Sequence, residues 1–456
     1  MAGLLSKERT VAGPRFNRWW NVAAALAINL SIGQAYAFSV FNLPLTRVLG
    51  IGEPVPEDWK LSSLGWIFTL AYVFLGLSAG VGGKWQDRVG PRLSGVVAAA
   101  FFGTGFFLSA VGVWRHQLAL LYLGYGVLGG CGLGLGFNTP ISTLLRWFPD
   151  RRGLATGMAI MGFGGGAILA APLSTALMRH FATPTSVGVA ETFVVLGVLY
   201  VLAMLGGAFL FRLPPADFRP PGEQAGAPAA GLTVEQAIGT RQFALLWCVL
   251  VLNVTAGLGV LGQAAAMIQE VFDGVSAEAA GFFVALLSFF NMGGRLAWAW
   301  LSDRLGRRLT YALFFSLGPL LYAAVPLAGQ QRSLVLFVGC FALIMSRYGG
   351  GFASMPSYVA DVFGGGHVGA IHGRVLTALS AAGLLGPTLV NYLREYWIAQ
   401  GYSVSHAYDA TLYIMAGLLV VGFLCNQALH PLTIGRDALP RPTVPAAPPM
   451  LGESEP

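Results

Sequence analysis

Charge is what this chain lacks. Only 10% of its 456 residues are Asp, Glu, Lys or Arg, against about 25% in an ordinary globular chain. A soluble chain of this length would form about three domains, and so little charge cannot clothe them. Cysteine is scarce as well. Cys131, Cys248, Cys340 and Cys425 stand far apart, with no CxxC pair and no metal-ligand spacing. They read as small apolar residues with free thiols, and no metal or cofactor is expected. Disordered chains are poor in apolar residues, whereas this one is 55% hydrophobic. What is plentiful is glycine, with 62 residues, about twice the usual share and without the every-third-residue period of collagen. Such a composition reads as a polytopic membrane protein, in which glycine lets helices pack closely.

Apolar runs of about 20 residues, long enough to cross ~30 Å of hydrocarbon, recur twelve times. They lie near 19–42, 62–83, 93–114, 118–145, 153–178, 190–211, 242–268, 278–301, 309–328, 333–362, 370–393 and 408–430. The expected fold is all-α, with twelve transmembrane helices embedded in lipid. Of the 27 Lys and Arg, 19 fall in the N-terminal segment, the turns after even-numbered runs and the tail, 6 fall on the other side, and Arg295 and Arg347 fall inside runs. The positive-inside rule then places both termini in the cytoplasm of a cell with this protein in its inner membrane. The surplus of +7 is an orientation signal, and no nucleic-acid partner is implied. Lys7 to Arg18 followed by Ala35-Tyr36-Ala37 imitates a signal peptide, but the apolar run continues to about Phe41.

The chain repeats itself. Gly83-Lys-Trp-Gln-Asp87-Arg88-Val-Gly90-Pro-Arg92 matches Ala299-Trp-Leu-Ser-Asp303-Arg304-Leu-Gly306-Arg-Arg308, Gly136-Phe137 matches Gly351-Phe352, and Pro172 matches Pro387, all at offsets of 215 to 216. A period of half the chain makes two parallel repeats of six helices. The expected boundaries are 1–212 for the first bundle, 213–241 for a Pro-, Gly- and Ala-rich cytoplasmic linker, 242–434 for the second bundle and 435–456 for a tail. Within the linker, Thr233-Val-Glu235-Gln236 has the pattern of a capping box and predicts a short helix before the seventh span.

The turn Gly-x-x-x-Asp-Arg-x-Gly-x-Arg after the second run, its second copy after the eighth and the six-plus-six topology resemble the major facilitator superfamily. That resemblance implies two bundles around a midplane site, moving by alternating access. Four further stretches resemble the oxalate/formate antiporter family, a relative of the monocarboxylate transporters. They are Gly33-Gln-Ala-Tyr36-Ala-Phe38-Ser39-Val40, Trp147-Phe148-Pro149-Asp-Arg-Arg152-Gly153-Leu-Ala-Thr-Gly157, Tyr348-Gly-Gly-Gly351-Phe352-Ala-Ser-Met-Pro356 and Gly369-Ala-Ile-His372-Gly373-Arg374. This second resemblance implies a small carboxylate as substrate and Arg295 as its anchor. Two departures stand out. The oxalate transporter pattern has a lysine on the eleventh helix, where this chain reads Thr377-Ala378-Leu379-Ser380. The monocarboxylate pattern has an Asp four residues before the arginine, where this chain has Asn291.

The residues themselves point the same way. An arginine at the bilayer centre costs about 2.5–3.5 kcal/mol on insertion scales and persists where it is paired or faces a polar cavity. Every Asp and Glu lies at a span end, in a loop or in a tail. The nearest acid along its own helix is Asp303 for Arg295, about 12 Å away, and Asp361 for Arg347, about 21 Å away. Two buried cations with no mid-membrane anion call for one, and a guanidinium fork fits a carboxylate bidentately. The competing reading is that either arginine snorkels or bonds a neighbouring helix's carbonyls. Asn291 sits one turn before Arg295 on the same face. Tyr125, Tyr36, Asn253, Gln263 and Tyr348 are candidates to line the path, with helix packing as the alternative for each. His372 is a candidate proton carrier, or a histidine bonded to a carbonyl. Asp87, Arg88, Asp303 and Arg304 are expected to latch helix ends as a gate, or to form plain salt bridges.

The sequence therefore predicts no enzyme. It predicts a secondary transporter of small carboxylates such as lactate, pyruvate or formate. The alternatives are an oxalate-like dicarboxylate/formate exchanger with Arg295 and Arg347 as a two-cation clamp, and a non-transporting anion sensor. With no mid-span carboxylate, coupling is expected through anion exchange or through a proton on the substrate or on His372.

Overall fold

A computed structural model describes residues 3–148, 152–215, 218, 231–364 and 368–430. Among the described residues, twelve helices are long and apolar enough to cross a bilayer. They are α1 Trp20–Leu45, α2 Leu61–Gly82, α3 Pro91–Trp114, α4 Leu118–Leu144, α5 Gly157–Phe181, α6 Val189–Leu210, α7 Arg241–Leu261, α8 Ala277–Leu305, α9 Arg307–Gln330, α10 Leu334–Phe363, α11 Ile371–Ala399 and α12 Val404–Gln427. They match the twelve apolar runs within a few residues at most ends. The core of the linker and the tail after His430 lie outside the described residues. The short helix Val234–Ile238 is present, with the Thr233 and Gln236 side chains each bonding the other's backbone N–H.

The duplicated turns rest on glycine. Gly90 and Gly306 both take a left-handed backbone, with φ of 84° and 82°. Each ends one helix and starts the next without an intervening loop. Only glycine enters that region without strain between Cβ and the carbonyl, which explains why the Gly survives in both copies of the motif.

Two seams join the halves: α5 runs along α8, and α2 runs along α11. The repeat maps α2 onto α8 and α5 onto α11, so the seams are equivalent under the internal symmetry. At the end of the molecule opposite the termini, the bundles are tied together. Asn42 Nδ2 donates to the Gly262 carbonyl at 2.9 Å and to Gln263 Oε1 at 3.2 Å, and Gln263 Nε2 donates to Asn391 Oδ1. The Ser62 N–H donates to Glu395 at 3.3 Å, and Trp66 Nε1 donates to the Tyr392 hydroxyl at 3.1 Å.

Three helices are irregular where they reach the middle or this tied end. After Ile32, α1 tightens into a 3-10 segment over Gly33–Phe41, whose nine residues are all buried. Within α4, Tyr122–Gly129 forms a π-helical stretch, a distortion found frequently at functional sites. Past Leu261, the α7 helix breaks at Gly262-Gln263 before resuming as Ala264–Val271, and this break supplies the carbonyl that Asn42 grips.

Candidate substrate site

Arg295 lies on α8 at the α5–α8 seam and is fully buried. Its Nε donates to Asn291 Oδ1 on the preceding turn at 3.0 Å, its Nη1 to the Ile160 carbonyl of α5 at 3.0 Å, and its Nη2 to the Tyr36 hydroxyl of α1 at 3.1 Å. The rings of Phe352 and Phe163 flank the guanidinium, with centroids 5.3 and 5.7 Å from its carbon. The second bundle thus contributes the cation, and the first contributes a carbonyl and a hydroxyl. Gly164 makes room for it. A Cβ there would stand 2.6 Å from Nε, so only glycine lets α5 and the arginine approach this closely.

The Tyr36 hydroxyl lies 3.3 Å from that of Tyr348 on α10. Asn291, Tyr36 and Tyr348 therefore gather at Arg295, and the described partners of the cation include no carboxylate. Arg295 has no solvent-exposed surface, so protein closes round its guanidinium on every side.

Arg347 faces elsewhere. It is nearly fully buried, and its Nη1 donates to Asn253 Oδ1 of α7 at 2.8 Å. Its guanidinium carbon lies 5.8 Å from the Tyr322 ring centre on α9. Its Nε and Nη2 have no hydrogen-bond partner. Arg347 and Asn253 are thus together inside the second bundle and share no bonding partner with Arg295.

Tyr125, on the π-helical stretch of α4, donates to Gln34 Oε1 at 2.8 Å and packs on Phe38 at 4.6 Å between ring centres, within the first bundle. Gln263 belongs to the tie at the end opposite the termini. His372 is buried near the start of α11. Asp303 and Arg304 are exposed at the α8–α9 turn. Asp303 pairs with Arg307, which also reaches Asp361 of α10 at 3.8 Å, while Arg304 stacks on Trp300. These contacts stay within the second bundle. Arg88 is exposed, and the Asp87 side chain lies outside what the structure describes.

Sequence reasoning missed Ile160 and Gly164 at the cation and Gln34 as the partner of Tyr125. A backbone carbonyl leaves no sequence signal. Gly164 and Gln34 sit in helices apolar on most faces, where periodicity does not say which side turns inward.

Residues 20–387 match the Major Facilitator Superfamily. The chain is 26% identical over 377 residues to the oxalate:formate antiporter of Oxalobacter formigenes, covering 81% of this chain and 83% of that protein. It is 29% identical over 434 residues to monocarboxylate transporter 11 of Homo sapiens, covering 90% and 84%. Its fold is similar to the crystal structure of a bacterial homologue of the human lysosomal transporter Spinster, inward-facing and unoccupied, with a TM-score of 0.71, 15% identity and coverage of 91% and 98%. Twelve membrane helices, a duplicated turn and a family match across most of the chain lead to one conclusion: this protein belongs to the Major Facilitator Superfamily and is a multi-pass membrane transporter, not an enzyme.

Proposed function

We propose that the protein carries small monocarboxylate anions, of the size of formate, lactate or pyruvate, across the cytoplasmic membrane by alternating access, with both termini in the cytoplasm. The observation that carries this reading is Arg295, a guanidinium buried where the two bundles meet, whose described partners are all neutral. Neutral acceptors take one bond from each of its three nitrogens and leave its charge unbalanced, and a carboxylate supplies both an acceptor and the charge. Because the partners come from both bundles, an anion that displaces them changes how the halves hold each other, which is the coupling a transporter needs. The names of the relatives, an oxalate:formate antiporter and a monocarboxylate transporter, support a carboxylate. With no titratable acid beside Arg295 among the described residues, the driving force is exchange against a second anion, or a proton carried on the substrate or on His372.

A second reading, exchange of oxalate-like dicarboxylates, is favoured by one observation: Arg347 is a second buried cation with two nitrogens free of partners. Uptake into proteoliposomes separates the readings. Formate, L-lactate, pyruvate and oxalate would be tested with and without a pH gradient and with counter-anion inside. Arg295→Ala, inserted and folded, is expected to abolish uptake of every substrate, and normal uptake would sink the proposal. Arg347→Gln is expected to change monocarboxylate uptake little, whereas loss for all anions favours the clamp.

A further inference from the structure

Arg347 is a buried cation for which the monocarboxylate reading has no use. It lies inside the second bundle with 2% of its surface exposed, and Asn253 of α7 and Tyr322 of α9 beside it have none exposed. Asn253 Oδ1 accepts from Nη1 at 2.8 Å, and the Tyr322 ring centre stands 5.8 Å from the guanidinium carbon. The guanidinium also acts on the Tyr322 hydroxyl, which has no well-formed hydrogen bond of its own. Among the described residues, no salt bridge includes Arg347. Glycines border the cluster. A Cβ on Gly318 of α9 would stand 3.2 Å from the guanidinium carbon and 3.4 Å from Nε, and one on Gly351 of α10 would stand 2.5 Å from Asn253 Nδ2. From those two positions the chain offers bare backbone and no side-chain acceptor.

Counting protons shows what the cluster wants. Arg347 Nε and Nη2, Asn253 Nδ2 and the Tyr322 hydroxyl all lack a hydrogen-bond partner. Together these atoms carry six protons. The Tyr322 oxygen can take one of them from the guanidinium, and the rest still have no acceptor. A buried donor without an acceptor is destabilising, and a buried charge without a counter-charge is more so. Water supplies acceptors and no charge. A carboxylate side chain supplies both, and none stands here among the described residues. A small anion supplies both at once, and burial on every side limits it to the size of a halide.

We propose that Arg347, Asn253 and Tyr322 form a binding site for a monatomic anion of the chloride class, which neutralises Arg347 and ties α7, α9 and α10 together. The site is separate from Arg295 and stands or falls independently of the carboxylate reading.

The test uses the purified full chain in detergent at constant ionic strength, with sodium gluconate replaced stepwise by sodium chloride. The thermal midpoint is expected to rise with chloride and then level off, because a ligand that binds only the folded state stabilises it. Arg295→Gln should keep that rise, and Arg347→Gln should lose it. Should Arg347→Gln fail to fold, Asn253→Asp decides. It keeps the shape of the amide and supplies the missing negative charge beside Arg347. It is expected to raise the chloride-free midpoint and to weaken chloride binding by about ten-fold or more. In crystals grown with sodium bromide, an anomalous peak should lie within hydrogen-bond reach of Arg347 and of Asn253 Nδ2. A midpoint indifferent to chloride, with no bromide peak at Arg347, would mean that water meets these donors, and the proposal falls. It also falls if Arg295→Gln removes the rise, which puts the ion at Arg295, or if the rise survives unchanged in Arg347→Gln or in Asn253→Asp. A rise with sodium oxalate and none with chloride, lost in Arg347→Gln, would overturn it in favour of the two-cation clamp.

Discussion

Arg295 donates to an amide oxygen, a carbonyl and a hydroxyl, each within 3.1 Å. A guanidinium so held is positioned but not neutralised. Its geometry depends on a residue with no polar atom to contribute. Gly164 brings the α5 backbone against Nε, and the adjoining Ser288 hydroxyl donates to the Gly164 carbonyl at 2.5 Å, fixing α5 and α8 at that spacing. Gly164→Ala would put a methyl group 2.6 Å from Nε. Overpacking of this kind costs about 1–3 kcal/mol, and the guanidinium must move to relieve it. Carboxylate affinity is expected to drop by ten-fold or more while the protein still inserts, as checked by binding and by gel filtration in detergent. Unchanged affinity would mean that the α5–α8 spacing does not set the position of the cation.

At the scale of elements, helix irregularity marks where side chains cross between bundles or seek unusual partners. The break in α7 is an example. By ending the regular helix at Leu261, the chain presents the Gly262 carbonyl and the Gln263 amide to Asn42 of the other bundle. Gln263 then hands on to Asn391, which makes it the middle of a buried amide chain. Each such bond contributes about 1 kcal/mol, and a stranded amide costs more. Gln263→Ala strands Asn391 and leaves Asn42 with the Gly262 carbonyl alone. It is expected to loosen the tie, raising the reactivity of a cysteine placed at the buried Ser62 toward a membrane-impermeant maleimide, in a background without the four native cysteines. Unchanged labelling would show that the tie does not depend on the amide chain. The π-helical stretch of α4 aims Tyr125 at Gln34 of α1 and so ties α4 to α1 inside the first bundle.

At the scale of the molecule, the equivalent seams give two places where the halves can part. The site lies at the α5–α8 seam, while the ties from Ser62 to Glu395 and from Trp66 to Tyr392 lie at the end of the α2–α11 seam opposite the termini. On the proposed alternating-access reading, that end must open in each cycle. A short bifunctional maleimide joining cysteines at Ser62 and Glu395 is expected to stop uptake reversibly if it carries a cleavable disulfide, with activity returning after reduction. Uptake that persists in the cross-linked protein would exclude motion at this end from the cycle.

The sequence by itself determined the number of spans, the two-fold repeat, the glycine turns at Gly90 and Gly306, and the imbalance of two buried arginines without an acid. These are properties of composition, of windows about 20 residues long and of identity at a fixed offset, so they need no knowledge of neighbours. The tertiary structure alone decided that Arg295 reaches across to Ile160 and Tyr36 while Arg347 turns inward to Asn253. It alone brought Gly164 of α5 against the Arg295 guanidinium. The reason is rotational. A helix apolar on nearly every face has no stripe to fix its orientation, so the side each span turns inward is settled by close packing against its neighbours. That packing turned two similar mid-span arginines into one that joins the bundles and one that stays inside its own.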